Sequence, residues 1–326
     1  MSEERRIMEK FIRFLKDWTL PVAIAVGTVC YLTCYFTPAL DPVSEVMGPF
    51  FDVFFPICVF LTLLITFCKV DFHQMLPHRW QFGVLGAQLV LIALNVWIIL
   101  KFCHTTEQRI LWEGVLTCVI APCAAAAPVV TNKLGGNINT ITTFTIMSSL
   151  VSALLIPLVF PMLEKEADVT FMEAFLMILE KLAMILVLPL VMGYFIRHYM
   201  HRLHQWITSK PNMSFYTWAV SLSITTGITV KNIVHSEASL SLLIMIAVLS
   251  LVMCFVQFGI GRGIGYRLGE PICSGQAMFQ KNTALSIWVS YMYLNPVASV
   301  GAGCYVLWQN IINSLELWED RRKVKG

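Results

Sequence analysis

Predominantly apolar stretches of helix-spanning length recur along the chain at 19–37, 45–68, 80–102, 109–132, 138–162, 171–196, 213–232, 238–261, 274–294 and 297–318, each followed by a short polar connection. A helix needs about 20 mostly apolar residues to cross the hydrocarbon of a bilayer. The pattern therefore predicts ten spans. Lipid offers no hydrogen bonds to open backbone, so the expected fold class is an all-α membrane protein. A charged, amphipathic segment precedes the first span (1–18) and a short tail follows the last (319–326). No cleavable signal peptide is expected, because no small-residue cleavage site follows the first apolar run.

Two spans are interrupted. In the fourth, Pro122 and Pro128 flank the four alanines 124–127. Proline removes a backbone donor and clashes with the preceding turn, so this span is expected to kink or break, while the alanines let another backbone come close. The ninth carries Gln276, Gln280, Lys281 and Asn282. Starting that span after Lys281 leaves too few residues to cross before Asn295-Pro296, so a helix that enters, breaks near 280–282 and continues fits better. The interrupted spans hold the fourth place in each five-span half, 19–162 and 171–318. Discontinuous helices in corresponding places of two halves point to the site of a secondary transporter, and an odd number of spans per half makes the repeats inverted. Half-helix N-termini at mid-membrane present unpaired N–H groups and positive dipole ends, which suit an anion.

Charge sets the expected orientation. Seventeen of the 23 Lys and Arg residues fall on one side: Arg5, Arg6, Lys10, Arg13 and Lys16; Lys69, Arg79, Lys133, Arg197, Arg202, Lys210, Arg262 and Arg267 in connections; Arg321, Arg322, Lys323 and Lys325. Four (Lys101, Arg109, Lys165 and Lys231) fall on the other, and Lys181 and Lys281 lie inside spans. That bias places both termini in the cytoplasm, in a cell (inner) membrane. Hydrophobic residues make up 57% of the chain and charged residues 13%, about half the charge of a soluble domain, which excludes a cytosolic enzyme or a nucleic-acid binder. The ten cysteines fall almost entirely in apolar runs without a C-x-x-C pair and read as unbridged packing residues.

Taken together, the ten spans, the break after Ala121-Pro122, Gly135-Gly136-Asn137, Pro189 and Gly193, the stretch from Leu61-Thr62 to Asp71-Phe72 and the Gln280-containing span resemble the bile acid:sodium symporter superfamily over about 15–315. The resemblance implies broken helices 4 and 9 crossing in a core domain beside a panel domain, alternating access, and organic-anion substrates such as bile acids or pantoate. It also implies sodium ligands, and these transfer poorly. Ala127-Pro128 stand where the family has Ser-Asn, Ile141 where it has Ser, Gln276 where it has Glu, and Lys281 where it has Asn; Gln88, Thr145 and Gln280 match. The expected function is a secondary transporter of small carboxylates, with Lys281 replacing the cation and facing the substrate. Expected substrate-binding residues are Lys281, Gln280, Gln276, Asn282, Ala125, Ala127 and Thr131, and the ion-site remnants are Gln88, Thr145, Gln276 and Gln280. No cofactor or resident metal is expected, and sodium is left a depleted ligand set. The expected partners are a small organic anion and the bilayer, with no nucleic acid, in a monomer or homodimer.

The alternatives are a sensor or receptor that binds an anion without flux, disfavoured by the eight-residue tail after Trp318, and a transporter still coupled to sodium or protons. An enzyme is not expected: no H-E-x-x-H, paired intramembrane Asp or His within a span core occurs. A channel is disfavoured for want of charged rings or a carbonyl filter. Glu180 and Lys181 lie about 100° apart on a helix, so they are no tight pair; two placements stay open, facing the cavity or, the favoured one, snorkelling to the interface. His198, His201 and His204 suggest a headgroup-facing turn rather than a metal site. Most Ser and Thr of span 5 are expected to bond their own backbone, and Gln309, Asn310 and Asn313 to serve as packing glue. Trp18, Trp112, Trp206, Trp308 and Trp318 suit an interfacial belt.

Overall fold

The computed structural model describes residues 8, 10, 14–163, 170–236 and 238–325. Most of the amphipathic segment 1–18 and Lys165 lie outside the described residues. The longer helices are α1 (Thr19–Phe36), α2 (Asp41–Phe67), α3 (Arg79–Phe102), α4 (Thr106–Ile120), α5 (Ala127–Lys133), α6 (Ile138–Leu163), α7 (Phe171–Leu182), α8 (Leu188–Tyr199), α9 (His201–Thr208), α10 (Met213–Val234), α11 (Leu240–Leu268), α12 (Pro271–Phe279), α13 (Thr283–Tyr293) and α14 (Ser299–Lys325). A π-helical turn, Ala183–Val187, joins α7 to α8. Among the described residues, six stretches are long and apolar enough to cross a membrane by length and composition: Thr19–Phe36, Met47–Phe67, Arg79–Phe102, Ile138–Phe160, Phe175–Tyr199 and Leu240–Leu268.

The helices sort into two groups. One brings α10 against α1 and α2, and α2 against α8. Its closeness depends on small residues: a Cβ on Gly27 would stand 2.0 Å from the Ser223 carbonyl, so the α1 and α10 backbones meet where only glycine fits. The other group packs α11 against α4, α12 and α14, and α4 against α3. Here Gly301 of α14 approaches the backbone of Gly114 on α4, and Gly261 and Gly265 of α11 let α12 lie close alongside.

Several boundaries differ from the sequence pattern. Helix α11 continues to Leu268, so Arg262 and Arg267, counted above as connection residues, are helical. Arg262 stays in the helix because it has a partner inside, Glu316 of α14. Helix α14 runs to Lys325, so 319–325 extends the last helix rather than forming a loose tail; Lys323 pairs with Glu319 one turn away at 2.8 Å. The connection after α8 folds into α9, where the His204 ring bonds the Cys68 carbonyl at 2.9 Å, and within α8 the His198 ring bonds the Tyr194 carbonyl one turn back. Among the described residues no group of His, Cys, Asp or Glu is arranged to hold a metal.

Candidate functional site at the paired helix breaks

Helix α4 ends at Ile120 for a local reason. Pro122 bars the α conformation at the residue before it, and Ala121 is extended (φ −58°, ψ 143°). That leaves the last carbonyls of α4 without helical donors inside the molecule. Side chains from four other helices take them up. Ser286 of α13 donates to Thr117 O (2.5 Å) and Gln257 of α11 to Cys118 O (3.2 Å). Gln88 of α3 donates to both Val119 O (3.0 Å) and Ala121 O (3.1 Å), and Ser152 of α6 to Ile120 O (2.9 Å). The break in span 9 is closed likewise. Tyr305 donates to Phe279 O (2.7 Å), and Gln309 caps Lys281, accepting from its N–H at 2.9 Å and donating to its carbonyl at 3.4 Å.

The two breaks then pair with each other. Ala124 N–H donates to Gln280 O and Asn282 N–H to Pro122 O, both at 2.9 Å, so Cys123 and Lys281 face each other as in an antiparallel ladder. Ser148 of α6 accepts from Cys123 N–H at 3.0 Å, and Thr145 lies 3.6 Å from the Cys123 sulfur while bonding its own helix at Ile141 O. Beyond the crossing, α13 restarts on its own cap, with the Asn282 side chain accepting from Leu285 N–H at 3.1 Å. On the other strand, the amides of Ala125 and Ala126 make no hydrogen bond to the described residues, and both alanines are half-buried.

Lys281 is 1% exposed, and its ammonium makes no hydrogen bond to the described residues. The titratable groups acting on it are the thiols of Cys123 and Cys118, both buried. It therefore does not face an open cleft in this conformation, as the sequence reading had it face the substrate. It stands behind the crossing, inside the second helix group. An ammonium at such depth costs about 2.5–3.5 kcal/mol even on a mild insertion scale.

A second polar chain runs from the crossing to α14. Gln280 donates to Gln276 and to Asn313 Oδ1 (3.2 Å), and Gln276 donates to Glu316 Oε2 (2.6 Å) and Asn313 Oδ1 (3.3 Å). Arg262 completes it by pairing with Glu316. Of the residues singled out from sequence, Gln276, Gln280, Lys281, Asn282, Gln88, Thr145 and Ala125 all stand at or beside the crossing. Ala127 is fully buried in the first turn of α5, and Thr131, a turn further on, is buried with its hydroxyl making no hydrogen bond to the described residues. Arg262, Glu316, Gln257, Ser286 and Tyr305 were missed, and Gln309 and Asn313, read as packing glue, are part of the site. The available signal was their depth: amides inside an apolar span need partners.

These apolar helices, together with the family match of residues 56–258, make the chain a multi-pass membrane protein of a transporter family. Residues 56–258 match the Sodium Bile acid symporter family, and the chain belongs to that family. No curated protein matches the chain.

Proposed function

We propose that the protein is a secondary active transporter of small organic anions, bile-acid-like or pantoate-like carboxylates, that works by alternating access without sodium. In this reading ten spans form two inverted repeats, 19–162 and 171–318. The breaks cross at mid-membrane, α1, α2, α8 and α10 form the panel, and the second group forms the core. Both termini lie in the cytoplasm, and the membrane is the cell's inner membrane.

The observation that carries this reading is the buried ammonium of Lys281 at the paired breaks, which makes no hydrogen bond to the described residues. A fixed cation there does what a bound cation would do: it sets a positive field at the crossing toward which an organic anion is drawn. Part of the family's sodium set offers no ligand here. Ala127, Pro128 and Ile141 offer no side-chain oxygen. The Gln276 carbonyl already accepts from Gln280, and its amide is held by Glu316 and Asn313. Family membership supports transport of a bile-acid-type anion.

Uptake of radiolabelled cholate and pantoate into proteoliposomes tests it, with sodium replaced by choline. Uptake is expected to persist in choline and to fall by about tenfold or more in Lys281→Ala and Lys281→Asn, a loss of at least ~1.4 kcal/mol. Full dependence on sodium, or indifference to both substitutions, would refute the assignment.

A further inference from the structure

With Lys281 sealed behind the crossing, the anionic end of a substrate needs a cation it can touch. The other cations placed within helices near the site are committed: Arg109 pairs with Glu113 at 3.5 Å and Arg262 with Glu316. Lys181 is not. Met177, Glu180 and, in the following turn, Met184 are exposed on α7, and Lys181 stands at the border of that face, about 40° from Met177 and about 60° from the buried Ile178. From that border its side chain reaches α13, because Ile178 and Phe175 pack in one cluster with Leu285, Trp288 and Val289 of that helix. Its ammonium lies 3.8 Å from the centroid of the Trp288 ring, makes no hydrogen bond or ion pair to the described residues, and is half-exposed. A lysine held over an indole face keeps its three N–H donors for another acceptor.

Helix α13 supplies the rest of a binding surface. Ala284, Trp288 and Tyr291, spaced four and three residues apart, share one face; Ala284 and Tyr291 are exposed and Trp288 half-buried. That face starts at the crossing, and Trp288 lies about 9 Å along the axis from Asn282. We propose that Lys181 and Trp288 form the anion subsite for an amphipathic carboxylate: the carboxylate pairs with the Lys181 ammonium, and the apolar body lies along Ala284, Trp288 and Tyr291. The inference rests on the organic-anion reading above and names the substrate class within it.

The test is equilibrium binding of tritiated cholate and of its neutral amide, cholamide, to the purified full chain in nanodiscs. The variants are Lys181→Met, Lys181→Arg, Trp288→Leu and, on the exposed face of α7, Glu180→Gln. The ratio of the two affinities does not depend on how much of a variant is folded. Wild type, Lys181→Arg and Glu180→Gln are expected to prefer cholate by about tenfold or more, and Lys181→Met to bind both within about threefold of each other. Trp288→Leu is expected to weaken both ligands together. Retention of the cholate preference in Lys181→Met, or its equal loss in Glu180→Gln, overturns the subsite while leaving the transporter reading intact. Wild type binding neither compound, with no uptake in proteoliposomes, overturns both.

Discussion

At the scale of single residues, the site is made by hydrogen bonds that a helix break obliges other helices to supply. Gln88 is the clearest case: its amide holds two carbonyls at the end of α4, and its own oxygen makes no hydrogen bond to the described residues. Replacing it with leucine leaves both carbonyls unpaired in a dry interior. Gln88→Leu is therefore expected to destabilise the protein by about 1–3 kcal/mol. Thr143→Val is the contrast. The Thr143 hydroxyl bonds only the Asn139 carbonyl of its own helix at 3.0 Å, so less than about 1 kcal/mol is expected. Thermal unfolding in detergent compares the two. The residue types of the site were legible in the sequence, since a lysine and several amides inside apolar spans have to be explained. Their pairing was not: nothing local tells Gln309 that its partner is the backbone of Lys281, 28 residues away.

At the scale of elements, close packing and one ionic clamp hold the broken helices in register. Gly114 and Gly301 meet where α4 crosses α14, but their tolerance is unequal. A Cβ on Gly301 would lie 2.3 Å from the Gly114 carbonyl, whereas one on Gly114 has its nearest neighbour at 3.5 Å. Gly301→Ala is expected to cost about 1–3 kcal/mol through forced backbone shifts, while Gly114→Ala is neutral or gains helix propensity of up to ~1 kcal/mol. Arg262 reaches Glu316 across Gly275, whose missing Cβ would meet the arginine chain at 2.9 Å. Removing one partner strands a charge of which little is exposed (side chains 21% and 11%). Arg262→Met and Glu316→Leu are each expected to destabilise by about 2–3 kcal/mol, and the double variant by less than the sum, read from a double-mutant cycle. The pattern located both breaks because proline and clustered amides announce them. It ended α11 too early because Arg262 looks like a loop residue until its partner on a distant helix is known.

For the whole molecule, the question is how many times the chain crosses the bilayer. A length-and-apolarity criterion finds six stretches, and the helices it leaves out share a cause. Helices α4 and α5, and α12 and α13, are halves too short to count singly. Helix α10 is rich in Ser and Thr, and α14 carries Gln309, Asn310 and Asn313. Polar helices cross a membrane when their polar groups are paired inside, and here they largely are: Ser221, Ser223, Thr225 and Thr226 bond their own turns, and Gln309 and Asn313 bond α12 and the crossing. A ten-span count makes a sharp prediction because parity fixes the termini. Protease-cleavable tags at the two ends are expected to be cut together in inside-out vesicles and protected together in right-side-out vesicles. A third tag between Cys103 and Thr105, in the connection before α4, is expected to show the reverse accessibility, provided the tagged protein still binds cholate. Six spans alone would also leave the termini together, but they would require α4, α10 or α14 to lie outside the hydrocarbon. Depth therefore decides: a nitroxide spin label at Ser314, buried beside the Gln276–Glu316 chain, is expected to be shielded from water-soluble nickel reagents on both sides. Free quenching of that label would reduce the span count and dissolve the crossing as a mid-membrane site.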